Sequence, residues 1–474
     1  MSSGVDLARI EQAARRGLTA AGALGVAVLV RGERVEVVRH GSAGQGAALA
    51  AATPFHICSC SKTFTAAVFS RLVQDGAVAW DQPVQEVVPE FVLADGWASR
   101  HCTFRDLASL RVGLGRAGLA EWGIRQDLPR TERLARARHM PLEAPFRSRF
   151  AYSNLCYIAL ALAAERSGGK PYPELVRELL CEPLGMTDTC SAGFGVVPPP
   201  GAVQPRVWLG AGMGAVRELT GPNSEGSARI HLSGRDAGRW MQWLLAALGG
   251  SDQGPLTAAT VSAMAAPQAV IWQPDVRMAP ESGGWCSYGM GLFVTTLRGR
   301  PLLRHGGGGR GWRHAMVLAP DASAGVMLMT AAESPAVDGL ALELIEALMG
   351  EVPRHWADTF SRAAEAAAMI ERRVLDERFP ADAGAPSVPL QSGRYANPVA
   401  GEVRVETGGP AARVLAVDGP DFNASATSLG GEVFRLDFDE PALSPQPLDP
   451  PFRLRVVDAS TLEHSYLGRL ERIA

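Results

Sequence analysis

Ser59 and Lys62 stand three residues apart in Phe55-His56-Ile57-Cys58-Ser59-Cys60-Ser61-Lys62. From Ser61 to Gly76, Phe64, Ala67, Val68, Leu72 and Val73 recur at three- and four-residue steps, which predicts a helix. Ser-x-x-Lys at a helix start puts hydroxyl and amine on one face. A Ser hydroxyl is a poor nucleophile until a neighbour takes its proton. A Lys amine does so when burial or a nearby positive charge lowers its pKa. The N–H groups and dipole of a helix start can also stabilise an oxyanion. The bland alternative is a surface Lys one turn from a capping Ser. Composition bears on the choice: Lys occurs only at 62 and 170, the other basic residues being Arg. Arg cannot act as a base, so a spared amine points to a need for a removable proton.

Two further segments carry polar groups suited to the same chemistry. In Phe150-Ala151-Tyr152-Ser153-Asn154, just before an apolar helical stretch, Tyr152 offers a phenol that can relay a proton. Asn154 offers an amide that can hold a Lys or a substrate carbonyl; alone, the pair reads as a core-edge Tyr and a helix cap. In Leu303-Arg304-His305, followed by Gly306 to Gly309 and Arg310-Gly311-Trp312, the glycines allow close approach of substrate to backbone N–H donors. His305 adds a polar group at a strand edge. A phosphate loop is disfavoured, because the run lacks a Lys-Ser/Thr ending and a βαβ setting; a plain tight turn is the bland reading.

These segments need a scaffold. A chain of 474 residues with 47% hydrophobic and 20% charged residues is globular, and its length suggests two or three domains. A net charge of −3 argues against a nucleic-acid partner, and no apolar run has the length of a membrane span. Seven Cys, an odd and low count, argue against a disulfide scaffold and for reduced, buried thiols, hence a cytoplasmic location. Arg15-Arg16 before the apolar stretch 18–30 mimics a signal peptide, but the stretch reads better as a helix end and a hairpin, 25–30 and 34–40. Helical stretches are expected at 105–110, 131–138, 155–166, 172–180 and 340–349, and strands at 292–297, 315–318 and 324–330. This order predicts an α+β domain whose sheet uses both ends of its chain segment. A helix at 361–375 and a Pro-bounded linker at 380–386 follow. Short alternating runs at 402–405, 413–417, 432–438, 452–457 and 461–467 then predict a small antiparallel β-barrel. The domain expectation is therefore 1–350 catalytic, 351–386 helix and linker, and 387–474 barrel.

Taken in order, Ser59-x-x-Lys62, Tyr152-x-Asn154 and His305-x-Gly307 resemble the motifs of the serine β-lactamase and penicillin-binding-protein superfamily, in its class C-like branch. Ala151 to Leu160, Leu180-Cys181-Glu182-Pro183-Leu184-Gly185-Met186 and the Trp312-containing glycine segment share the resemblance, which is strongest to the D-aminopeptidases and related amidases and esterases. It implies a β-lactamase/transpeptidase-like fold, an antiparallel sheet flanked by a helical subdomain. It implies Ser59 as acylated nucleophile, Lys62 as base or base partner, Tyr152 as proton shuttle and Asn154 as orienting group. It places His305 where penicillin-binding proteins carry Lys, with an oxyanion hole at the N–H groups of Ser59 and Gly308, beside Gly307. No metal or cofactor is implied.

Departures are visible. Ser109-Leu110-Arg111-Val112-Gly113-Leu114 has lost polar groups usual in the family, and Pro145-Phe146 replaces a common Pro-Gly. Gly226-Ser227-Ala228-Arg229-Ile230 stands where D-aminopeptidases carry an amine-binding Asp. Ser227 and Arg229 thus become candidate substrate contacts, with Arg229 suited to a carboxylate or carbonyl; the alternative is an Arg facing solvent. One barrel takes the place of two. The expected function is a serine amidohydrolase acting through an acyl-enzyme on amides or esters of small D-configured amino acids or short peptides, with room for a homodimer. The alternatives are a carboxylesterase or β-lactamase-like hydrolase, a penicillin-binding-type peptide cyclase, and a non-enzymatic penicillin-binding sensor.

Overall fold

A computed structural model describes residues 5–43, 47–115, 128–191, 198–219, 221–271, 285–380, 389–408, 412–416, 423–443, 452–465 and 467–473. An eight-stranded antiparallel sheet is its frame, in the spatial order Ala269–Val270, Ser287–Tyr288, Phe293–Leu297, Arg300–Gly309, Trp312–Ala319, Ala324–Ala331, Leu24–Arg31, Arg34–His40. The early hairpin joins late strands through Leu24 to Arg31, which pair with Ala331 to Ala324. Alternation along this strand separates two cores. Val26, Val28 and Val30 face a large cluster that contains the Ser61–Gln74 and Asn154–Gly168 helices. Ala27 and Leu29 face a second cluster with the helices Leu7–Ala20 and Ala336–Leu348. The large cluster makes the Ser61–Gln74 helix almost wholly buried, Lys62 included.

Local signals set the boundaries near the site. Thr103 and Asp106 form a reciprocal capping box at the start of Phe104–Ala108. Asp106, fully buried, also receives Arg111 Nε at 2.6 Å and Arg147 Nη2 at 2.6 Å. Burial opposes its charge, but the two Arg and the Thr103 N–H prevail and hold the carboxyl below its ordinary pKa. The segment it anchors carries Leu110, whose carbonyl accepts from Ala151 N–H and so fixes the strand-like approach to Tyr152.

Two expectations are corrected. The glycine run is not a loop after a strand: the strand continues through Gly309, and the turn falls at 310–311. Pairing with Trp312 to Ala315 across the hairpin holds the run extended. The 172–180 helix runs only over Tyr172–Val176 and continues as a wider π-type turn, Arg177–Cys181. The long helix spans Trp356–Arg378. Most of the expected linker, from 381 on, lies outside the described residues.

The C-terminal region is a closed eight-stranded antiparallel barrel. It includes the expected runs and adds Gly393–Asn397, Ala424–Ser428 and Gly468–Arg472. Tyr395, Val403, Leu436, Leu454, Leu462 and Leu470 fill its interior. Among the described residues no helix is long and apolar enough to cross a membrane.

Candidate active site

Ser59 sits in the 3-10 turn Cys58–Cys60, immediately before the Ser61–Gln74 helix. Cys58 adopts φ +48°, a left-handed conformation that an L side chain occupies only when its surroundings impose it. The helix is tied down by its own hydroxyls. Thr63 Oγ1 donates to Gly291 O at 2.8 Å and Thr65 Oγ1 to Gly226 O at 2.7 Å, while Ser61 Oγ accepts from Ile230 N–H at 3.2 Å.

Lys62 lies one turn in, with no exposed surface. Its Nζ donates to Ser59 Oγ at 3.1 Å, to Asn154 Oδ1 at 2.7 Å and to the Ser227 carbonyl at 2.8 Å. Three acceptors match the three protons of an ammonium group, so burial of its charge is compensated bond by bond. The Tyr152 ring lies 4.9 Å from Nζ, adding a cation–π contact. Tyr152 donates its hydroxyl proton to Ser59 Oγ at 2.9 Å. The Ser59 oxygen therefore accepts from both candidate proton carriers. Asn154 begins the Asn154–Gly168 helix but spends its side-chain oxygen on Lys62 rather than on capping.

The glycine strand closes the other side. A Cβ on Gly307 would lie 2.4 Å from Ile57 O and 3.3 Å from Cys58 Cβ, closer than side chains pack, so only glycine lets the strand reach the nucleophile turn. Gly308, the expected second oxyanion donor, is the next residue on that strand. Cys60 Sγ donates to the His305 carbonyl at 3.4 Å and adds a tie between strand and turn.

His305 is buried, and both its nitrogens are engaged. Nδ1 lies 2.7 Å from the Gly306 carbonyl, which can only accept, so the proton is assigned to Nδ1. Nε2 then accepts from the Tyr288 hydroxyl at 3.1 Å. Burial and, next, the charge of Lys62 push its pKa down to about 3. His305 is thus a neutral element of an aromatic wall with Tyr288 and Phe293, and Phe150 joins that wall 6.3 Å from the Tyr152 ring.

Ser227 contributes its carbonyl to Lys62, while its hydroxyl donates to Ser224 O at 2.8 Å. Arg229 does not face solvent: it is 4% exposed, with φ +81°. Burial lowers its pKa, and the carboxylates of Glu225 and Glu218 oppose that shift.

The motifs do not include a polar group set behind the turn. Cys58 Sγ lies 3.4 Å from His56 Nδ1, and the Glu218 carboxylate lies 3.6 Å from the same nitrogen. Trp312 Nε1–H donates to Glu218 Oε2 at 2.6 Å. No spacing rule joins 56, 218 and 312; the sequence signal is an Arg217-Glu218 pair that follows a run of apolar and glycine residues. Among the described residues, no group of three or more His, Cys, Asp and Glu side chains is placed to hold a metal ion.

Comparison with known proteins gives the family and the fold. A family model described as Beta-lactamase matches residues 10–349. An unguisins hydrolase of Aspergillus campestris is 35% identical over 144 residues, 29% of this chain and 27% of that protein. The D-alanyl-D-alanine-carboxypeptidase/endopeptidase AmpH of Escherichia coli K12 is 26% identical over 280 residues, covering 58% of this chain and 69% of AmpH. The match thus spans about a quarter of the first of these relatives. Among solved structures, a D-amino acid amidase from Ochrobactrum anthropi superposes with TM-score 0.57 at 21% identity, over 75% of this chain and 99% of the amidase. At that identity the likeness concerns fold.

Proposed function

Because the chain belongs to the β-lactamase family, whose described relatives are hydrolases, we propose that it is a serine amidohydrolase acting through an acyl-enzyme on amides or esters of small, D-configured amino acids or short peptides. The observation that carries this reading is the convergence of Lys62 Nζ and Tyr152 OH on Ser59 Oγ. Lys62 or Tyr152 loses a proton to solvent before attack and then takes the Ser59 hydroxyl proton as Oγ bonds to the substrate carbonyl carbon. The carbonyl oxygen gains the charge and is held by the N–H groups of Ser59 and Gly308. As the C–N or C–O bond breaks, Tyr152 passes a proton to the leaving amine or alcohol. Water then repeats the sequence on the acyl-enzyme, releasing the acid and restoring Ser59.

The substrate class draws support from two sides. AmpH and the Ochrobactrum amidase are, by name, enzymes of D-amino acid compounds. Neutral His305 supplies no cation for a substrate carboxylate, which favours amides and esters, and the Phe150 wall suits an apolar side chain. Arg229, close to Glu225 and Glu218, is assigned to hold a substrate carbonyl from within that charged group. Among the described residues six cysteines are free and buried, which supports a reducing, cytoplasmic setting.

The test is intact-mass analysis after treatment with a fluorophosphonate, followed by p-nitroanilides of D- and L-amino acids beside p-nitrophenyl esters. One adduct on the wild type and none on Ser59→Ala, with faster turnover of D-anilides, is expected. An adduct on both proteins, or on neither, would refute the nucleophile. Preference for L-anilides would refute the stereochemical part, and turnover of esters alone would make the protein an esterase.

A further inference from the structure

We propose that Glu218 is a positioning residue for acylation, clamping the glycine strand to the turn that carries Ser59. The inference rests on the serine-hydrolase reading and extends it to residues outside the three motifs.

The two expected oxyanion donors belong to separate pieces of chain. Ser59 lies in the Cys58–Cys60 turn, and Gly308 lies on the Arg300–Gly309 strand. Their separation must be held to a fraction of an ångström for both N–H groups to meet one oxygen. Glycine packing allows the approach, but contact without directional bonds does not fix it.

Glu218 supplies one directional bond, on the strand side, and a polar contact on the other. On the strand side it accepts from the Trp312 indole N–H at 2.6 Å, and Trp312 pairs with Gly309 across the hairpin. On the nucleophile side it faces His56. That imidazole accepts the Arg229 backbone N–H at Nε2, 3.2 Å away, so its proton sits on Nδ1. Nδ1–H points between Cys58 Sγ, at 3.4 Å, and the Glu218 carboxylate, at 3.6 Å. The Cys58 side chain is thereby held beneath Gly307 and Gly309, where added Cβ atoms would touch it.

The strained φ of Cys58 gives this clamp something to oppose. A non-glycine residue in the left-handed region relaxes if its side chain is released, and relaxation would rotate the next peptide, which carries the Ser59 N–H. Half-buried Glu218 and the buried Trp312, His56 and Cys58 form one row behind Ser59, and none of them need touch substrate.

Full-length Glu218→Leu, which has no acceptor for the indole N–H, and Trp312→Phe variants test this. Active sites are counted by fluorophosphonate labelling, and p-nitrophenyl acetate hydrolysis is expressed per labelled site. Each variant is expected to lose about ten- to hundredfold in kcat with KM within about twofold of wild type. The double variant is expected to be no slower than the slower single, because both remove the same bond. Wild-type kcat per labelled site, a raised KM with kcat intact, or additive losses in the double would overturn the proposal. If Glu218→Leu does not fold, Trp312→Phe alone decides, since it removes one N–H and keeps an apolar ring. A wild-type protein that takes no label at Ser59 would instead overturn the serine-hydrolase reading on which this rests.

Discussion

Gly307→Ala isolates the approach of strand to nucleophile. The new methyl would sit 2.4 Å from Ile57 O, a backbone atom that cannot swing aside. Side-chain carbons do not approach closer than 3.0 Å, so the strand must retreat by at least about 0.6 Å from the turn holding Ser59. A displacement of that size at an oxyanion hole costs about ten- to hundredfold in rate, or about 1.4 to 2.7 kcal/mol of transition-state binding. Overpacking lowers folding stability by a further ~1–3 kcal/mol, a fall of a few degrees in Tm. The control is Gly306→Ala on the opposite face of the same strand. Its nearest contacts would be His314 O at 3.6 Å and Asp338 Oδ1 at 3.7 Å, both ordinary. The assay is the rate of Ser59 acylation by a fluorophosphonate, read by intact mass, with thermal melts of each variant. Gly307→Ala should slow labelling tenfold or more while Gly306→Ala stays within about threefold. Equal rates in the two variants would refute the claim that this contact sets the geometry.

Lys62→Arg should fail as completely as Lys62→Met, since guanidinium neither fits three acceptors spaced for an ammonium nor gives up a proton; kcat should fall by about 10²–10⁴, as in Tyr152→Phe. Steady-state kinetics on an ester and an anilide would check this, and retention of activity by Lys62→Arg would contradict the proton role. Asp106→Asn leaves two Arg without their buried partner and should destabilise by about 3–5 kcal/mol at pH 7 in denaturant titrations. Because the folded Asp106 pKa is depressed, its contribution is complete above the unfolded Asp value of about 4 and disappears as pH falls through the folded value. The gap between wild type and variant should therefore narrow below about pH 4, and a gap independent of pH would contradict the ion-pair account.

The sequence makes some of this site legible and hides the rest for physical reasons. Ser59 and Lys62 lie one helical turn apart, so local geometry alone brings them together, and the scarcity of Lys marks which amine matters. Tyr152 and Asn154 are recognisable only as part of the set: their partners lie 93 and 92 residues away. Four successive glycines signal close approach but not strand, because glycine has little preference for the pleat; register with Trp312 to Ala315 holds the run extended. The barrel strands Gly393–Asn397 and Ala424–Ser428 escape periodicity because small and polar residues blur the alternation. Arg229 is readable as a charge but not as a buried one, since only Glu225, four positions away, is near it in the sequence and Glu218 joins through folding.

The pairing of Leu24–Arg31 with Ala324–Ala331 has a consequence for how the protein comes into being. Strands some three hundred positions apart in the chain must meet, which places the fold among slow, high-contact-order topologies. On the ribosome the nucleophile segment emerges long before the glycine strand that completes its surroundings. On the proposed reading, a nascent chain therefore carries Ser59 before the strand that would complete the oxyanion hole, and hydrolytic competence arrives as a late event of synthesis.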